Sequence, residues 1–399
     1  MKLRKFGQVL LAIAVSLGSS FLITACGNTH TIDFLYITSS KNNPGQVAVY
    51  KVDSGSGALI QIPQSPYPSG GRNPVAEVTS PNAKNLYVIN RDDNTVVQFA
   101  IGTDGKLYPL HTINTPGGFP VAVAINAAGT FLYVVDTYQS GFTDATPGSG
   151  AVVVYPVAKD GSLGTAVANG NLAYFPVGVA PAGVTVLPDG SAVYVATKGG
   201  TTKADGVQLG RVYTFNSSSG GSLTAIGTGF VAAGVAPNAI ASDPTGRFVY
   251  ATDGSANQLI GYSVTSGGML TPMINGPFKT DLFPVSVTID PRGFYIYVAN
   301  FNANTLSAYA IDQSNGTPSQ VAGSGTFGTR TGPTCVIVEP SLGRYVYTSN
   351  FLDNTITALQ LNPHTGGLIG VQNSPFAAPG QPTCAAAIAH GNHSLQAVP

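Results

Sequence analysis

The hydrophobic and polar positions of the chain follow one pattern that recurs seven times. Its clearest mark is a short apolar run around a tyrosine, and these tyrosines are Tyr36, Tyr87, Tyr133, Tyr194, Tyr250, Tyr297 and Tyr347. A second mark is a proline that opens another apolar run, and these prolines are Pro74, Pro120, Pro181, Pro237, Pro284, Pro333 and Pro382. The two sets keep phase along the whole chain, with 46 to 61 residues between successive tyrosines. Such a period indicates a repeat architecture.

Each repeat predicts four strands. The first follows the proline, as in residues 284–289, and a Pro- and Gly-containing turn such as 290–293 leads into the strand with the tyrosine. The third strand alternates apolar and polar side chains, as in residues 95–101, and a glycine turn opens the fourth. Four strands in about 40–50 residues make one propeller blade. The sequence therefore predicts an all-β fold, a seven-bladed β-propeller of four-stranded antiparallel blades over residues 32–399.

The two ends of the pattern predict how the ring closes. The chain enters the propeller at a second strand, residues 34–38, and leaves it through a first strand, residues 383–389. We expect these N- and C-terminal strands to pair in one blade, because pairing removes an exposed sheet edge.

The N-terminus has the composition of an export signal. Lys2, Arg4 and Lys5 precede an apolar stretch, and Leu22-Ile23-Thr24-Ala25-Cys26 resembles the lipobox of bacterial lipoproteins. This predicts a signal peptide over residues 1–25, lipid attachment at Cys26 and a tether over residues 26–31. The membrane is then a partner through the lipid anchor, and the location is the bacterial cell envelope, on the periplasmic or cell-surface side. The alternative is an ordinary cleavable signal with a chance cysteine.

Composition narrows the possible functions. Lys and Arg number 18, as do Asp and Glu, and charged residues make up 9% of the chain, so no basic stripe for nucleic acid is expected. Three Cys and five His predict neither a disulfide framework nor a metal site, and no cofactor motif is present. Cys335 and Cys384 hold equivalent places in successive repeats. Equivalent positions point the same way round a ring, so we expect two buried cysteines that do not face each other.

Three repeats carry a more specific signature. Residues 87–90 with 94–96, 297–300 with 304–306 and 347–350 with 354–356 resemble YVTN-type repeats of the lactonase-like seven-bladed family, which includes 6-phosphogluconolactonase. The resemblance implies a lactonase-type carboxylic ester hydrolase. The resemblance also implies His, Arg and Glu at the channel mouth, often with His directly after the strand-opening proline. This chain has there Val75, Val121, Ala182, Asn238, Val285, Thr334 and Thr383.

Charged residues near the strand-opening prolines are the candidate site. Glu77 stands where other repeats have an aliphatic residue, and Arg72 and Arg330 closely precede a proline. A lactone hydrolase needs a base and a group that stabilises the oxyanion. We therefore predict Glu77 as the general base and the two arginines as the oxyanion or ligand clamp. The alternative is a structural ion pair at the channel. Asp281 is a candidate ligand-binding residue at the same mouth.

Two insertions interrupt the repeat, at residues 137–150 and 198–210. Both connect a second to a third strand, so they emerge on the face where the first strands begin. Long loops in a compact repeat often carry function. We expect a wall over the channel mouth, with Tyr138, Phe142 and Lys203 as ligand contacts. The alternative is a pair of unstructured loops.

Two functional classes follow. The first is a binding module at the cell envelope that uses the channel mouth for a small-molecule, glycan or protein ligand. The alternative is a lactone hydrolase resembling 6-phosphogluconolactonase. The absent histidine and the expected lipid anchor favour the binding module, since phosphorylated sugar lactones are normally cytoplasmic metabolites.

Overall fold

A computed structural model describes residues 30–199, 209–323 and 325–391, which form seven antiparallel sheets arranged as a ring. We number the blades 1–7 by their repeat tyrosines, so that blade 1 contains Tyr36 and blade 7 contains Tyr347. The predicted all-β, seven-bladed propeller with four-stranded blades is confirmed. No helix in these three ranges is long and apolar enough to span a membrane.

The inner strand of each blade begins at or beside the repeat proline. From blade 1 to blade 7 these strands are Pro382–Ala389, Pro74–Thr79, Gly118–Ile125, Pro181–Val186, Pro237–Ser242, Pro284–Ile289 and Pro333–Val338. Successive inner strands contact each other all the way round the ring. In every blade the pairing register shifts between the proline and the second residue after it. This bulge alters the direction of the side chains at the start of the inner strand.

The second strands carry the repeat tyrosines and are almost completely buried. They are Thr31–Ser39, Asn85–Asn90, Phe131–Tyr138, Ala192–Thr197, Phe248–Asp253, Tyr295–Asn300 and Tyr345–Asn350. Six of the tyrosine hydroxyls donate to a glycine carbonyl of the next blade, as Tyr250 does to Gly316 at 2.6 Å and Tyr347 to Gly57 at 2.8 Å. Tyr133 instead lies 3.1 Å from the Ser217 hydroxyl. The tyrosine signature therefore joins neighbouring blades.

The third and fourth strands complete each blade toward its outer edge. The third strands are Gln46–Asp53, Thr95–Ile101, Ser149–Pro156, Arg211–Ser217, Gln258–Thr265, Thr305–Ile311 and Thr355–Leu361. The fourth strands are Leu59–Gln61, Leu107–Asn114, Phe175–Val179, Leu223–Ala232, Met269–Pro272, Pro318–Gln320 and Leu368–Gly370. In blades 1, 5, 6 and 7 a further short strand pairs with the third strand; these are Tyr67–Pro68, Phe278–Lys279, Thr326–Gly328 and Phe376–Ala377. Short 3₁₀ turns occupy Arg91–Asp93 and Ser266–Gly268.

The ring closes inside blade 1, as the sequence predicts. Strand Thr31–Ser39 pairs with strand Pro382–Ala389, with Phe34 opposite Ile388 and Thr38 opposite Cys384. The core lies between blades, because seven apolar clusters each take their side chains from two neighbouring blades. Antiparallel order brings the starts of the inner strands and the loops between second and third strands to one face, which we call the mouth face.

Candidate functional site

The mouth face is built by connections that adopt an unusual backbone conformation. In six blades the residue before the opening proline has a positive φ; these residues are Asn73, Phe119, Ala180, Phe283, Gly332 and Gln381. Phe119 (φ 55°) and Phe283 (φ 58°) are bulky for this region. Such a conformation persists only where the surroundings hold it in place.

Asparagines between the second and third strands hold these connections. The Asn94 side-chain oxygen accepts the Phe119 backbone N–H at 2.7 Å, and the Asn257 oxygen accepts that of Phe283 at 2.8 Å. Asn304 and Asn354 accept the backbone N–H of Gly332 and Gln381 in the same way. Each asparagine therefore fixes the entry to the next blade, and the repeat signature serves the construction of the mouth.

Glu77 is buried between blades 1 and 2. Its carboxylate accepts the Thr38 backbone N–H at 3.2 Å and a very short hydrogen bond from the Thr38 hydroxyl. Burial raises the pKa of the Glu77 carboxyl well above its usual range, and the Thr38 donors only partly oppose this effect. Burial thus favours the protonated form of this acid.

The structure does not bring the two candidate arginines to Glu77. Arg72 pairs with Asp93, with 2.6 Å between Nε and Oδ1, and its Nη2 donates to the Asp92 carbonyl. Arg330 is exposed, and no carboxylate of the described ranges forms an ion pair with it. The suggested ion pair with Glu77 is wrong, because Thr38 fills the place that an arginine was expected to take.

Asp281 is fixed at the entry to blade 6. Its carboxylate accepts the Thr305 hydroxyl at 2.9 Å, and its backbone N–H donates to the Ser307 hydroxyl at 3.3 Å. The side chain remains partly accessible. Asp281 is thus a mouth-face carboxylate on a well-ordered connection, and its predicted role in ligand binding remains a prediction.

The first insertion lies on the mouth face of blade 3. The Tyr138 hydroxyl donates to Asp144 at 3.0 Å, the Tyr138 ring stands edge-on to Phe119, and the Arg91 guanidinium lies 5.1 Å above the Phe119 ring. Together with the exposed Phe142, this loop lines a groove of about 490 Å³. Lys203, and with it most of the second insertion, lies outside the described residues.

A carboxyl that sequence reasoning missed lies behind this groove. Asp136 lies in the second strand of blade 3, three residues after the repeat tyrosine, where the YVTN-type repeats have asparagine. One of its oxygens accepts the Gly117 N–H at 3.0 Å, whereas the other is buried with no hydrogen-bond partner. Burial raises the pKa of Asp136 to about 7, against donors from Thr115 and Gly117. The exchange of Asn for Asp in the repeat was the available signal.

An exposed apolar cluster between blades 6 and 7 was also missed. We call Phe283, Phe301 and Leu352 the mouth cluster. The Phe283 and Phe301 rings meet edge-to-face at 6.5 Å, and Leu352 and Phe301 together cover Gly332. Phe283 is 39% exposed and Leu352 is 56% exposed. Exposed apolar side chains that gather at one place usually mark a contact surface.

Three of the residues that directly follow the opening prolines are polar, and their side chains form hydrogen bonds between neighbouring blades. The side chains of Asn238, Thr334 and Thr383 donate to the carbonyl of the next blade's opening proline, at 2.8 to 3.1 Å. They link neighbouring inner strands at the position directly after the opening proline. In the portion of the chain that the structure describes, no three His, Cys, Asp or Glu side chains form a metal-binding group.

Comparison with solved structures gives the same architecture. A candidate 6-phosphogluconolactonase from Bacteroides fragilis matches with a TM-score of 0.74 at 19% identity, over 91% of this chain and 99% of that one. A periplasmic gluconolactonase from Pseudomonas aeruginosa also matches with a TM-score of 0.74, at 18% identity, over 90% of this chain and 100% of that one. At such identities the likeness shows the fold.

Comparison of the sequence gives the family. No curated protein matches it. The model of a family described as lactonase, 7-bladed beta-propeller, matches residues 33–143 and 212–338, which is more than half of the chain. The protein therefore belongs to the lactonase family of seven-bladed β-propellers.

Proposed function

We propose that this protein is a binding module of the cell envelope, which captures a small-molecule, glycan or protein ligand on the mouth face of its propeller. The observation that carries the proposal is the mouth cluster. Exposed apolar rings cost solvation free energy in an isolated domain, and a ligand that covers them recovers it. The asparagine-held connections fix Phe283 in place, so little conformational entropy is lost on binding.

The state of Glu77 also favours binding over hydrolysis. A general base must be ionised and must reach the proton it removes. Glu77 is buried, its pKa is raised by burial, and both of its described contacts go to Thr38. The two arginines that could stabilise an oxyanion do not approach it.

The envelope location rests on the N-terminal sequence. Cys26 lies outside the described residues, so its lipidation is tested directly, by metabolic labelling with a palmitate analogue. The label should enter the wild-type chain and be absent from a Cys26→Ser variant. A wild-type chain that takes up no label would show that the N-terminus is an ordinary signal.

The second candidate is a lactone hydrolase, and family membership supports it. One relative of the same fold is a periplasmic gluconolactonase, so an exported lactone hydrolase has a precedent in this architecture. Asp136 supplies a further argument, because a carboxyl with a pKa of about 7 suits a general base. Its unpartnered oxygen would have to become accessible during the reaction.

One assay separates the two functions. The purified chain is mixed with a panel of sugar lactones and the corresponding aldonic acids, and both hydrolysis and heat of binding are measured. The variants are Phe283→Ala, Glu77→Gln, Arg330→Ala and Asp136→Asn. Arg344→Ala serves as the control, because Arg344 is likewise exposed but follows the inner strand of blade 7, away from the mouth face.

The binding module predicts saturable heat without hydrolysis above the spontaneous rate, with affinity reduced at least tenfold by Phe283→Ala and unchanged by Arg344→Ala. Hydrolysis that Asp136→Asn, Glu77→Gln or Arg330→Ala abolishes would instead establish the lactonase. If the panel gives neither signal, the same variants are applied to oligosaccharide and peptide probes. If no lactone, aldonic acid, oligosaccharide or peptide gives a saturable heat of binding, the proposal is contradicted.

A further inference from the structure

The second residue after each opening proline forms a ring of small side chains around the channel. These residues are Ala76, Ala122, Gly183, Ala239, Ser286, Cys335 and Cys384. The inner strands lie so close at this level that larger side chains would not fit. A Cβ placed on Gly183 would lie 3.2 Å from the Cα of Ala239, its counterpart in the next blade.

The side chains of this ring point from each blade to the next. The Ser286 hydroxyl accepts the backbone N–H of Val336 in blade 7 at 3.2 Å. The Cys335 sulfur accepts that of Ala385 in blade 1 at the same distance. The side chain at this position therefore reaches the residue directly after its counterpart in the next blade.

Cysteine occupies two adjacent places in this ring, in blades 7 and 1. The two sulfurs are 2.7 Å apart, and both residues are thiols in the structure. This corrects the expectation that equivalent residues would not face each other. They do point the same way round, but the inner strands converge so closely that one sulfur touches the next.

We propose that Cys335 and Cys384 form a disulfide that fastens blade 7 to blade 1. The sulfur–sulfur distance is shorter than a contact between non-bonded sulfur atoms and about 0.7 Å longer than a cystine bond of roughly 2.05 Å. The position is also apt: Cys384 lies in the C-terminal strand, opposite Thr38 of the N-terminal strand. The disulfide would fix the strand that closes the ring.

The cysteine count agrees with this pairing. The chain has three cysteines, and Cys26 is the expected site of lipid attachment. If its thiol is alkylated, the remaining two are the adjacent pair. Disulfides persist in proteins of oxidising compartments, so formation in the cell rests on the proposed envelope location. The geometry does not depend on that location.

The bond forms by thiol–disulfide exchange with an external disulfide. The thiolate of one cysteine attacks the oxidant, which releases one thiol and leaves a mixed disulfide; the second cysteine then attacks the protein sulfur and releases the other thiol. The protein loses two electrons and two protons, and the oxidant gains them as two thiols. Cys335 is 7% exposed, whereas Cys384 is only partly buried, so an oxidant reaches the pair through Cys384 or while the ring is still open, during folding.

Trypsin provides a sharp test. It cuts after Arg330 and Arg344, and residues 345–399 contain no Lys or Arg, so peptides 331–344 and 345–399 each carry one of the two cysteines. The full chain is unfolded, reduced and refolded in a buffer of reduced and oxidised glutathione. It is then denatured, blocked with N-ethylmaleimide and digested. We expect the two peptides to be cross-linked, and to separate on reduction.

Matched variants complete the test. Cys335→Ala and Cys384→Ala should each give no cross-link. Reduction should lower the Tm of the wild-type chain by several degrees and leave the Tm of both variants unchanged. The proposal is overturned if both cysteines of the refolded wild-type chain are alkylated. The same digest of chain taken from cells tests the location separately. A cross-link after refolding but not in cells would disprove export and leave the disulfide standing.

Discussion

Blade 1 and blade 5 have the same four-stranded design but differ in what joins them to the rest of the ring. Blade 5 is one continuous segment, whereas blade 1 combines both ends of the chain. Three residues before the repeat tyrosine, blade 5 has Arg247, which is exposed and donates to the Gln313 carbonyl of blade 6 at 2.7 Å. At this position blade 1 has Asp33, which is fully buried and accepts the Ser341 hydroxyl of blade 7 at 2.8 Å.

Buried polar groups thus collect where the chain ends meet. Asp33 lies against Glu339, whose carboxylate accepts the backbone N–H groups of Leu342 and Arg344. These donors oppose the rise that burial causes in the pKa of Glu339, whereas burial and Glu339 both raise the pKa of Asp33, so Asp33 is the member that holds the proton. A terminal strand that could slide by two residues without changing its buried face needs such specific contacts to fix its register. A continuous blade is positioned by its connections and needs fewer of them.

The largest effect should come from removing a tyrosine that joins blades. Tyr347→Ala, between blades 7 and 1, and Tyr250→Ala, between blades 5 and 6, should each lower the free energy of unfolding by about 3–5 kcal/mol. Urea denaturation measures this loss. Hydrogen exchange should then distinguish the two sites, because only Tyr347→Ala should expose residues 382–389. Equal protection of that strand in both variants would contradict the special status of blade 1.

The next effect is a pH dependence caused by Asp33. Burial, with a contribution from Glu339, raises the pKa of Asp33 to about 9, far above that of the unfolded chain. The folded state therefore binds an extra proton between about pH 4 and pH 9, and stability falls as pH rises through this window. In the wild-type chain this proton should lower the free energy of unfolding by up to about 1.4 kcal/mol for each pH unit, and Asp33→Asn should abolish that decrease.

Thermal unfolding between pH 5 and pH 8.5 measures the effect. Asp312→Asn is the control, because hydrogen bonds from Ser314 lower the pKa of that exposed carboxyl, so its contribution is lost only in acid. If Asp33→Asn keeps the wild-type slope, Asp33 does not hold the proton.

Variants of Glu77 test whether the buried acid next to blade 1 contributes to the stability of the fold. Glu77→Gln should change the free energy of unfolding by less than about 1 kcal/mol, because burial disfavours the charged carboxylate and an uncharged amide can still accept from Thr38. Glu77→Val restores the residue found in other blades but leaves the buried Thr38 N–H unpaired, at a cost of about 1–3 kcal/mol. A more stable Glu77→Val variant would show that Thr38 needs no partner.

The smallest effect is expected at the rim. Arg72 and Asp93 form an ion pair in which the arginine side chain is 55% exposed. Solvent and salt screen such pairs, so Arg72→Ala should cost at most about 1 kcal/mol, and less at high ionic strength. Denaturation at low and high salt, with Arg344→Ala for comparison, checks this. A loss of more than about 1 kcal/mol in the free energy of unfolding would show that the Arg72–Asp93 pair stabilises the fold more than an exposed ion pair should.

The fold was more predictable than the site. The phase of the tyrosines and prolines was sufficient for blade number, strand order and ring closure, because both residues contact the next blade and so recur with the repeat. The mouth was less predictable. Glu77 was correctly singled out as unusual, but Arg72 is paired with Asp93 across the entry of its own blade, a contact between residues 21 positions apart. Phe301 and Leu352 belong to different blades, so no local pattern places them beside Phe283.

The repeat, the number of blades and the joining of the chain ends follow from the sequence alone, since they depend on residues that alternate in strands and on turns that need Pro and Gly. Which side chains meet between blades depends on how the blades pack against each other. The bulge at the start of each inner strand redirects side chains that a regular strand would alternate. The close approach of neighbouring inner strands brings Cys335 to Cys384, and this contact does not follow from spacing alone.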